Sequence, residues 1–215
     1  MLHELSKSNS IFNTFITELR DITAQKDRMR FRRNLERIGE IFAYEISKTL
    51  DFESKEIETP LAKTTASLFT AQPVIASILR AGLPLHIGVL NYFDKAENCF
   101  ISAYRKHTTE KDFEIEIEYL SSPNLDGKTV ILCDPMLASG ASMVLGYQAL
   151  LEKGTPKKVH VVSIIASQKG INYAKHNLPD NVTFWVGQID KELNDKSYIV
   201  PGLGDAGDLA YGEKE

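Results

Sequence analysis

The sequence lacks several features that would assign it to a special class of protein. Among its 215 residues there are only two cysteines, Cys99 and Cys133, which lie far apart in apolar, strand-like segments. They form neither a CxxC metal pair nor a redox motif, so we expect buried thiols. No apolar run approaches the ~18 residues that a membrane span needs. The first residues also lack the apolar stretch of a secretory signal, so we expect a cytoplasmic protein with no membrane partner.

An excess of positive charge is missing as well. The chain has 25 Lys and Arg against 29 Asp and Glu, a formal charge of −4 and a pI near 5.8. A surface built mainly to bind nucleic acid is basic, so we expect no nucleic-acid partner. One local exception is an amphipathic helix predicted over residues 26–50, which carries five arginines: Arg28, Arg30, Arg32, Arg33 and Arg37. That cluster suits phosphate or RNA, a solvated helix face, or a subunit contact.

The order of apolar segments predicts the fold class. With 43% hydrophobic and 25% charged residues, the composition is that of a globular protein. After Pro73, short apolar runs at 74–79, 99–104, 130–133, 159–165 and 182–186 alternate with helical segments at 84–93, 141–153 and 168–177. This alternation predicts an α/β fold with a mainly parallel sheet and helices on both faces. We interpret residues 1–215 as one domain, with an N-terminal helical extension over 1–60.

One segment departs from that pattern. Apolar residues from Phe113 to Tyr119 alternate strictly with three glutamates, which indicates a half-exposed strand. With the run at 99–104 it predicts an antiparallel β-arm over residues 98–122 at the sheet edge. Such an arm would serve as a lid or as a dimer contact.

A loop of small residues follows the predicted strand 130–133. Residues 134–142 read Asp-Pro-Met-Leu-Ala-Ser-Gly-Ala-Ser. Small residues let backbone amides approach a phosphate, the hydroxyls add donors, and Asp134 suits ribose hydroxyls or a metal-bound water. Alternatively, Ser139 or Ser142 simply caps the next helix. The loop is neither a Walker motif nor GxGxxG, which disfavours kinases and dinucleotide enzymes.

Two further segments contain residues suited to binding ligands. Arg80 lies between a buried strand and Gly82, where its fork of N–H donors would suit a diphosphate; a structural ion pair is the alternative. Residues 198–208 read Tyr-Ile-Val-Pro-Gly-Leu-Gly-Asp-Ala-Gly-Asp, and their glycines allow a tight loop with inward-facing backbone groups. On its residues alone, this segment is a generic turn.

Taken together and in this order, the three segments and Ala103-Tyr-Arg105 resemble the uracil phosphoribosyltransferase family. The resemblance implies that 5-phosphoribosyl 1-diphosphate (PRPP) is bound by Arg80, Arg105, Asp134, Pro135, Met136, Leu137, Ala138, Ser139, Gly140, Ala141, Ser142 and Asp205. It also implies that uracil is bound by Ile199, Gly204, Asp205 and Ala206. The catalytic residues it implies are Asp205, Arg80 and Arg105.

The resemblance further implies a glycosyltransferase of pyrimidine salvage that converts uracil and PRPP to UMP and diphosphate. Mg²⁺ is the expected cofactor, held by PRPP and not directly by the protein. A homodimer or larger homo-oligomer is expected, and GTP is a candidate effector because it activates some relatives. A pyrimidine-sensing RNA-binding regulator on the same fold is the alternative function. A purine phosphoribosyltransferase is a further one, although its loop typically has two adjacent acids where this chain has Asp134-Pro135.

The chain departs from the family pattern in two loops, at Lys106 and His107, and in the glutamate-rich arm that follows them. Ser139 replaces the usual threonine and Ala141 the usual glycine, and both changes keep the loop small. Leu209 stands where the family commonly has a basic residue, so a positive charge is lost. The histidines outside the matching motifs are interpreted as structural or surface residues: His86, His107, His160 and His176.

Overall fold

The computed structural model describes the backbone of residues 1–107 and 113–213, and the side chains of this part outside 103–116. The strands are β1 (Leu2–Glu4), β2 (Phe52–Glu58), β3 (Lys63–Phe69), β4 (Val74–Leu79), β5 (Glu97–His107), β6 (Phe113–Ser121), β7 (Thr129–Cys133), β8 (Met136–Leu137), β9 (Lys158–Ser167), β10 (Val182–Asp190), β11 (Glu192–Leu193) and β12 (Ile199–Val200). The α-helices are α1 (Ile11–Arg20), α2 (Arg28–Ser47), α3 (Gly82–Leu90), α4 (Ala141–Leu151), α5 (Gln168–Asn177) and α6 (Ala206–Tyr211).

The main sheet has the strand order β1-β10-β9-β7-β4-β5-β6. Every neighbouring pair along this path is parallel except β5 and β6, which are antiparallel. The central strands are buried on both faces, as their unbroken apolar runs predict. The prediction of a mainly parallel sheet is therefore confirmed.

Helices cover both faces of this sheet. One apolar cluster joins the sheet to α1, α2, α3 and α6 through Phe12, Leu35, Leu85 and Ala206. The other cluster joins it to α4 and α5. Cys99 and Cys133 are fully buried, as expected. Within residues 1–107 and 113–213, no helix is both long enough and apolar enough to cross a membrane.

The N-terminal region differs in part from a helical extension over residues 1–60. Helix α2 begins where the Asp27 side chain accepts a hydrogen bond from Arg30 N (3.0 Å), and it is shorter at both ends than the predicted 26–50. Residues 2–4 are not helical but pair with β10 at the edge of the main sheet. Strands β2 and β3 form a separate antiparallel hairpin with almost every residue exposed. Hydrophobic periodicity could not predict this hairpin because neither of its faces is buried.

The antiparallel pair β5 and β6 lies at the opposite sheet edge, as predicted for the β-arm. Arg105 is opposite Ile115 in the register, and the pairing shifts between Ser102 and Ala103. Residues 108–112, between the two strands, lie outside the described part of the chain.

Most of the arginine cluster on α2 binds groups within the same chain. Arg30 donates to both carboxylate oxygens of Glu18 (2.9 and 2.6 Å), and Arg32 donates to the carbonyl oxygen of Ala210 (2.7 Å). Arg33 pairs with Glu36, and Arg37 donates to Asn34. These contacts favour a packing and solubility role for the cluster over a nucleic-acid surface.

Candidate active site

The predicted ligand-binding segments meet at the carboxyl ends of the central strands. Parallel strands β4, β7 and β9 end at Leu79, Cys133 and Ser167, and the segments with Arg80 and Asp134 begin directly after the first two. In α/β sheets, ligands bind beyond the carboxyl ends of the strands. The fold thus brings together motifs that are more than 50 residues apart in the sequence.

Arg80 contacts the C-terminal segment of the chain. Its Nη2 donates to Asp208 Oδ1 (3.1 Å) and to the carbonyl oxygen of Gly212 (3.2 Å). A Cβ added at Gly207 would lie 3.9 Å from the same Nη2 and 3.2 Å from Asp205 Oδ1. The arginine assigned to diphosphate is therefore adjacent to the segment assigned to uracil. About 41% of its side chain is exposed, so a ligand can reach the guanidinium.

Gly82 allows the start of α3 to pack closely against the sheet. A Cβ at this position would lie 2.7 Å from the carbonyl oxygen of Cys133 and 2.7 Å from Ser77 Oγ. Only glycine lets the start of α3 lie this close to the end of β7. The Arg80 and Asp134 segments are neighbours as a result.

Asp134 is a buried carboxyl group at the start of the small-residue loop. The pKa of Asp134 is raised to about 7, chiefly by burial and to a smaller extent by the charge of Asp205, against the lowering effect of a hydrogen bond from Met136 N (3.3 Å). The Asp134 carbonyl oxygen accepts from Ser163 Oγ (2.7 Å), which fixes the backbone. A carboxyl poised to hold or release a proton near pH 7 is typical of functional sites. The effect of the Asp205 charge on this carboxyl shows that the small-residue loop lies near the segment assigned to uracil.

The first part of the loop is anchored in the fold. Residues Met136 and Leu137 pair with β9 as β8, and the Pro135 carbonyl oxygen accepts from Ile164 N (2.9 Å) and Ile165 N (3.0 Å). The Leu137 side chain is buried in the core. The side chain of Leu137 therefore supports the loop and does not face a ligand.

The second part of the loop is tightly shaped around Gly140. This residue has φ +86°, and an added Cβ would lie 2.7 Å from the Gly170 carbonyl oxygen and 3.1 Å from Tyr173 Cδ1. Gly140 is also the N-cap of α4, so the unpaired N–H groups of the first helical turn begin beside it. Ser139 Oγ accepts from Ala141 N (3.3 Å), in line with the capping alternative for Ser139. An anion fits such a helix start without an additional positive charge.

Helix α5 supports this loop, which the sequence did not suggest. Ser167 Oγ donates to the Ala138 carbonyl oxygen (2.5 Å) and accepts from Gly170 N (2.7 Å). A Cβ at Gly170 would lie 2.2 Å from the same carbonyl oxygen. The pattern Ser-x-x-Gly after a buried strand indicates a helix start at Ser167. It does not indicate the contact with Ala138, which is 29 residues away in the sequence.

The segment assigned to uracil is a tight turn between two short elements. Its backbone takes positive φ at Gly202 (+53°) and Gly204 (+98°), which only glycine adopts readily. Ile199 and Ala206 are buried, so their contacts to a base would come chiefly from backbone groups. Asp205 is the N-cap of α6, and its side chain accepts from Asp208 N (3.0 Å).

The remaining positions singled out in the sequence are Arg105, Leu209 and the histidines. Arg105 lies in β5, and its side chain is outside the described part of the chain. Leu209, which replaces a basic residue of the family pattern, packs half-buried against the apolar cluster that contains α6. Of the histidines, His86 and His160 are buried in the core away from the loops, whereas His176 is exposed.

The fold is of a class known from other proteins. Open α/β sheets of this kind bind nucleotides and related ligands beyond the carboxyl ends of their strands. In agreement, the structure resembles that of a hypoxanthine phosphoribosyltransferase from Staphylococcus aureus, with a TM-score of 0.51 and 13% identity over 75% of this chain and 76% of the other. At that identity the likeness concerns the fold alone.

Comparison with known sequences identifies the family. The model of the uracil phosphoribosyltransferase family matches residues 6–213. A uracil phosphoribosyltransferase from Porphyromonas gingivalis is 54% identical over 210 residues, covering 98% of this chain and 97% of the relative. The structure of the AQ2163 protein from Aquifex aeolicus is also similar, with a TM-score of 0.87 and 32% identity over 99% and 98% of the two chains. The chain belongs to the uracil phosphoribosyltransferase family.

Proposed function

We propose that this protein transfers the 5-phosphoribosyl group of PRPP to uracil, giving UMP and diphosphate. The observation that carries the proposal is the meeting of three segments at one sheet edge. Arg80 contacts Asp208 and Gly212, and the charge of Asp205 influences Asp134. Family membership over nearly the whole chain supports the same reaction.

The reaction breaks the bond between ribose C1 and diphosphate and forms a bond from C1 to a uracil nitrogen, whose proton is released. Negative charge develops on the departing diphosphate, where preorganised N–H donors lower the barrier most. Arg80 is placed to stabilise this charge, and Arg105 is assigned the same role by the family resemblance. The amides of residues 138–142 would bind the 5-phosphate, and Asp134 would bind the ribose hydroxyls.

The turn from Ile199 to Ala206 would bind uracil through its backbone. Uracil presents carbonyl acceptors and N–H donors along one edge, and a fixed backbone strip can complement that pattern. A strip built to hydrogen-bond one edge discriminates strongly against a base with a different donor and acceptor order, such as cytosine. Asp205, at the end of this turn and near Arg80, would contact both substrates.

The acidic groups at this edge fit Mg²⁺ that is held mainly by PRPP. Asp134 and Asp205 interact electrostatically, and a cation near them would relieve that repulsion. No group of three or more His, Cys, Asp or Glu suited to a metal occurs among the residues that the structure describes. The two carboxylates would therefore add outer contacts to an ion bound by PRPP oxygens. When bound, Mg²⁺ supplies positive charge that stabilises the leaving diphosphate.

A turnover assay tests the proposal directly. Purified protein is incubated with PRPP and Mg²⁺ and, separately, with uracil, cytosine, hypoxanthine or orotate, and nucleotide and diphosphate are measured. We expect UMP from uracil alone. Folded protein that binds PRPP or UMP but turns over no base would contradict the proposal and favour a regulator on the same fold. Activation by GTP and assembly into a homo-oligomer stay predictions, to be checked in the same assay and by light scattering.

A further inference from the structure

An ion pair outside the predicted motifs contacts residues 199–206, called the uracil turn below. Arg20, the last residue of α1, donates through Nη2 to both carboxylate oxygens of Asp190 (2.7 and 2.9 Å). The side chains are only 18% and 6% exposed. A buried pair of this kind is weak evidence for stability, because removing both charges from water costs much of what their attraction returns. The contacts that the pair makes with neighbouring backbone groups are therefore of more interest than its contribution to stability.

Both members of this pair bind the backbone of Gly202. Gly202 N donates to Asp190 Oδ2 (2.9 Å), and Arg20 Nη1 donates to the Gly202 carbonyl oxygen (3.3 Å). Gly202 has φ +53°, and an added Cβ would lie 2.1 Å from the Ile199 carbonyl oxygen. The N–H and the carbonyl group of Gly202 are thus both held by hydrogen bonds, in a backbone conformation that only glycine can take.

Asp190 also lies between the uracil turn and residues 138–142, called the phosphate loop below because they are assigned to the 5-phosphate. It ends β10 and is the register partner of Ser167, the last residue of β9. Ser167 Oγ in turn donates to the Ala138 carbonyl oxygen of the phosphate loop (2.5 Å). The two loops are therefore attached to paired residues on adjacent strands, so that the sheet sets the distance between the base and the 5-phosphate.

We propose that Arg20 and Asp190 are positioning residues that fix the uracil turn in register with the phosphate loop. The inference rests on the proposed function, because it takes residues 199–206 as the uracil site. Neither side chain has to touch a substrate. Their effect is on the placement of the base, where small displacements of a reacting group are costly.

Kinetics of two conservative variants test this role. Arg20→Lys keeps the charge but loses the planar fork that bonds both Asp190 and Gly202. Asp190→Asn keeps an acceptor for Gly202 N but loses the ion pair. We expect each variant to raise the KM for uracil about tenfold and to leave the KM for PRPP within about twofold.

Arg30→Lys is the matched control. Arg30 also donates to both carboxylate oxygens of Glu18, through Nε and Nη2, but its side chain is 50% exposed and the bonds lie between α1 and α2. We expect both KM values of this control to stay within about twofold of wild type. Thermal unfolding of all three variants reports any general loss of structure.

The outcomes separate the two proposals. Wild-type protein that forms no UMP would overturn the proposed function and this inference with it. Wild-type turnover with an unchanged uracil KM in both variants would overturn the inference alone. A parallel rise in both KM values with a lowered melting temperature would mean a merely structural pair, which also overturns it. If Arg20→Lys does not fold, the kinetics of Asp190→Asn alone decide the question, because asparagine has the shape of aspartate and can still accept from Gly202 N.

Discussion

Arg80 is held by Asp208 through a single nitrogen, Nη2, which donates to Asp208 Oδ1 at 3.1 Å and also to the Gly212 carbonyl oxygen. Its Nε and Nη1 make no hydrogen bond to the part of the chain that the structure describes. The contact therefore orients the guanidinium and leaves its other donors for a ligand.

From this geometry we expect Asp208→Ala to raise the KM for PRPP up to about fivefold, since a half-exposed ion pair contributes at most about 1 kcal/mol. Steady-state kinetics with PRPP as the varied substrate measure the change. Asp180→Ala, at an exposed site away from the loops, is the control. A lowered KM for PRPP would show instead that Asp208 competes with the ligand for Arg80.

Gly140→Ala should abolish most PRPP binding. The substitution combines a positive φ with a 2.7 Å contact to the Gly170 carbonyl oxygen, so the loop has to move. Gly127→Ala is a matched control, because Gly127 also has a positive φ (+68°) but open space around it. We expect each variant to lose about 1 kcal/mol of stability from backbone strain, and only Gly140→Ala to weaken PRPP binding, by about 100-fold, in calorimetric titrations. Equal effects of the two variants on PRPP would contradict the steric account.

Asp134→Asn should stabilise the ligand-free protein while impairing PRPP binding. The pKa of Asp134 is raised to about 7 in the folded state, chiefly by burial, so ionising it costs folding free energy. The sign follows: the folded protein binds more protons than the unfolded chain between the two pKa values, so stability from this group falls as pH rises toward 7 and stays low above it. We expect the melting temperature of Asp134→Asn to exceed that of wild type by a few degrees at pH 8 and to match it near pH 4. For the control Asp180→Asn, we expect the melting temperature to match that of wild type at both pH values. Equal melting temperatures of Asp134→Asn and wild type at pH 8 would contradict the prediction, because they would mean that ionising Asp134 costs no folding free energy.

Acid should destabilise the fold through His160. Trp185 Nε1 donates to His160 Nδ1 (2.9 Å), which requires a neutral ring, and the pKa of His160 is lowered to about 3, chiefly by burial and to a smaller extent by the charges of Lys158 and His3. Because the unfolded chain takes up this proton near pH 6.5 and the folded protein does not, stability falls as pH drops below 6.5, by about 1.4 kcal/mol per pH unit. Urea unfolding between pH 4.5 and 7 should show a shallower pH dependence for His160→Gln than for wild type. His176→Gln, at an exposed histidine, should retain the wild-type slope.

Sequence patterns predicted those parts of the fold whose burial is regular. The doubly buried runs became strands β4, β7, β9 and β10, and α5 has the bounds predicted for it, Gln168–Asn177. The β2–β3 hairpin was missed because both of its faces are exposed, and β1 because three residues carry too little periodicity.

The same reasoning explains which parts of the candidate site were predicted. Loops such as 134–142 have local signatures, since small residues and an acid must follow a strand directly. Ser167, Arg20 and Asp190 act through partners far away in the sequence, and a single sequence carries no local sign of such contacts. The assignment of residues 199–206 to uracil came from the family resemblance and not from the glycines themselves.

The Arg20–Asp190 pair also bears on how the protein folds. Its members are separated by 170 residues, and Arg20 and Gly202 by 182. Closing loops of that length costs entropy that only later contacts recover, so such contacts form late. During synthesis, α1 leaves the ribosome long before β10 and the uracil turn exist. The ability to bind uracil should consequently be the last property acquired by the nascent chain, after the sheet that binds the phosphate is already assembled.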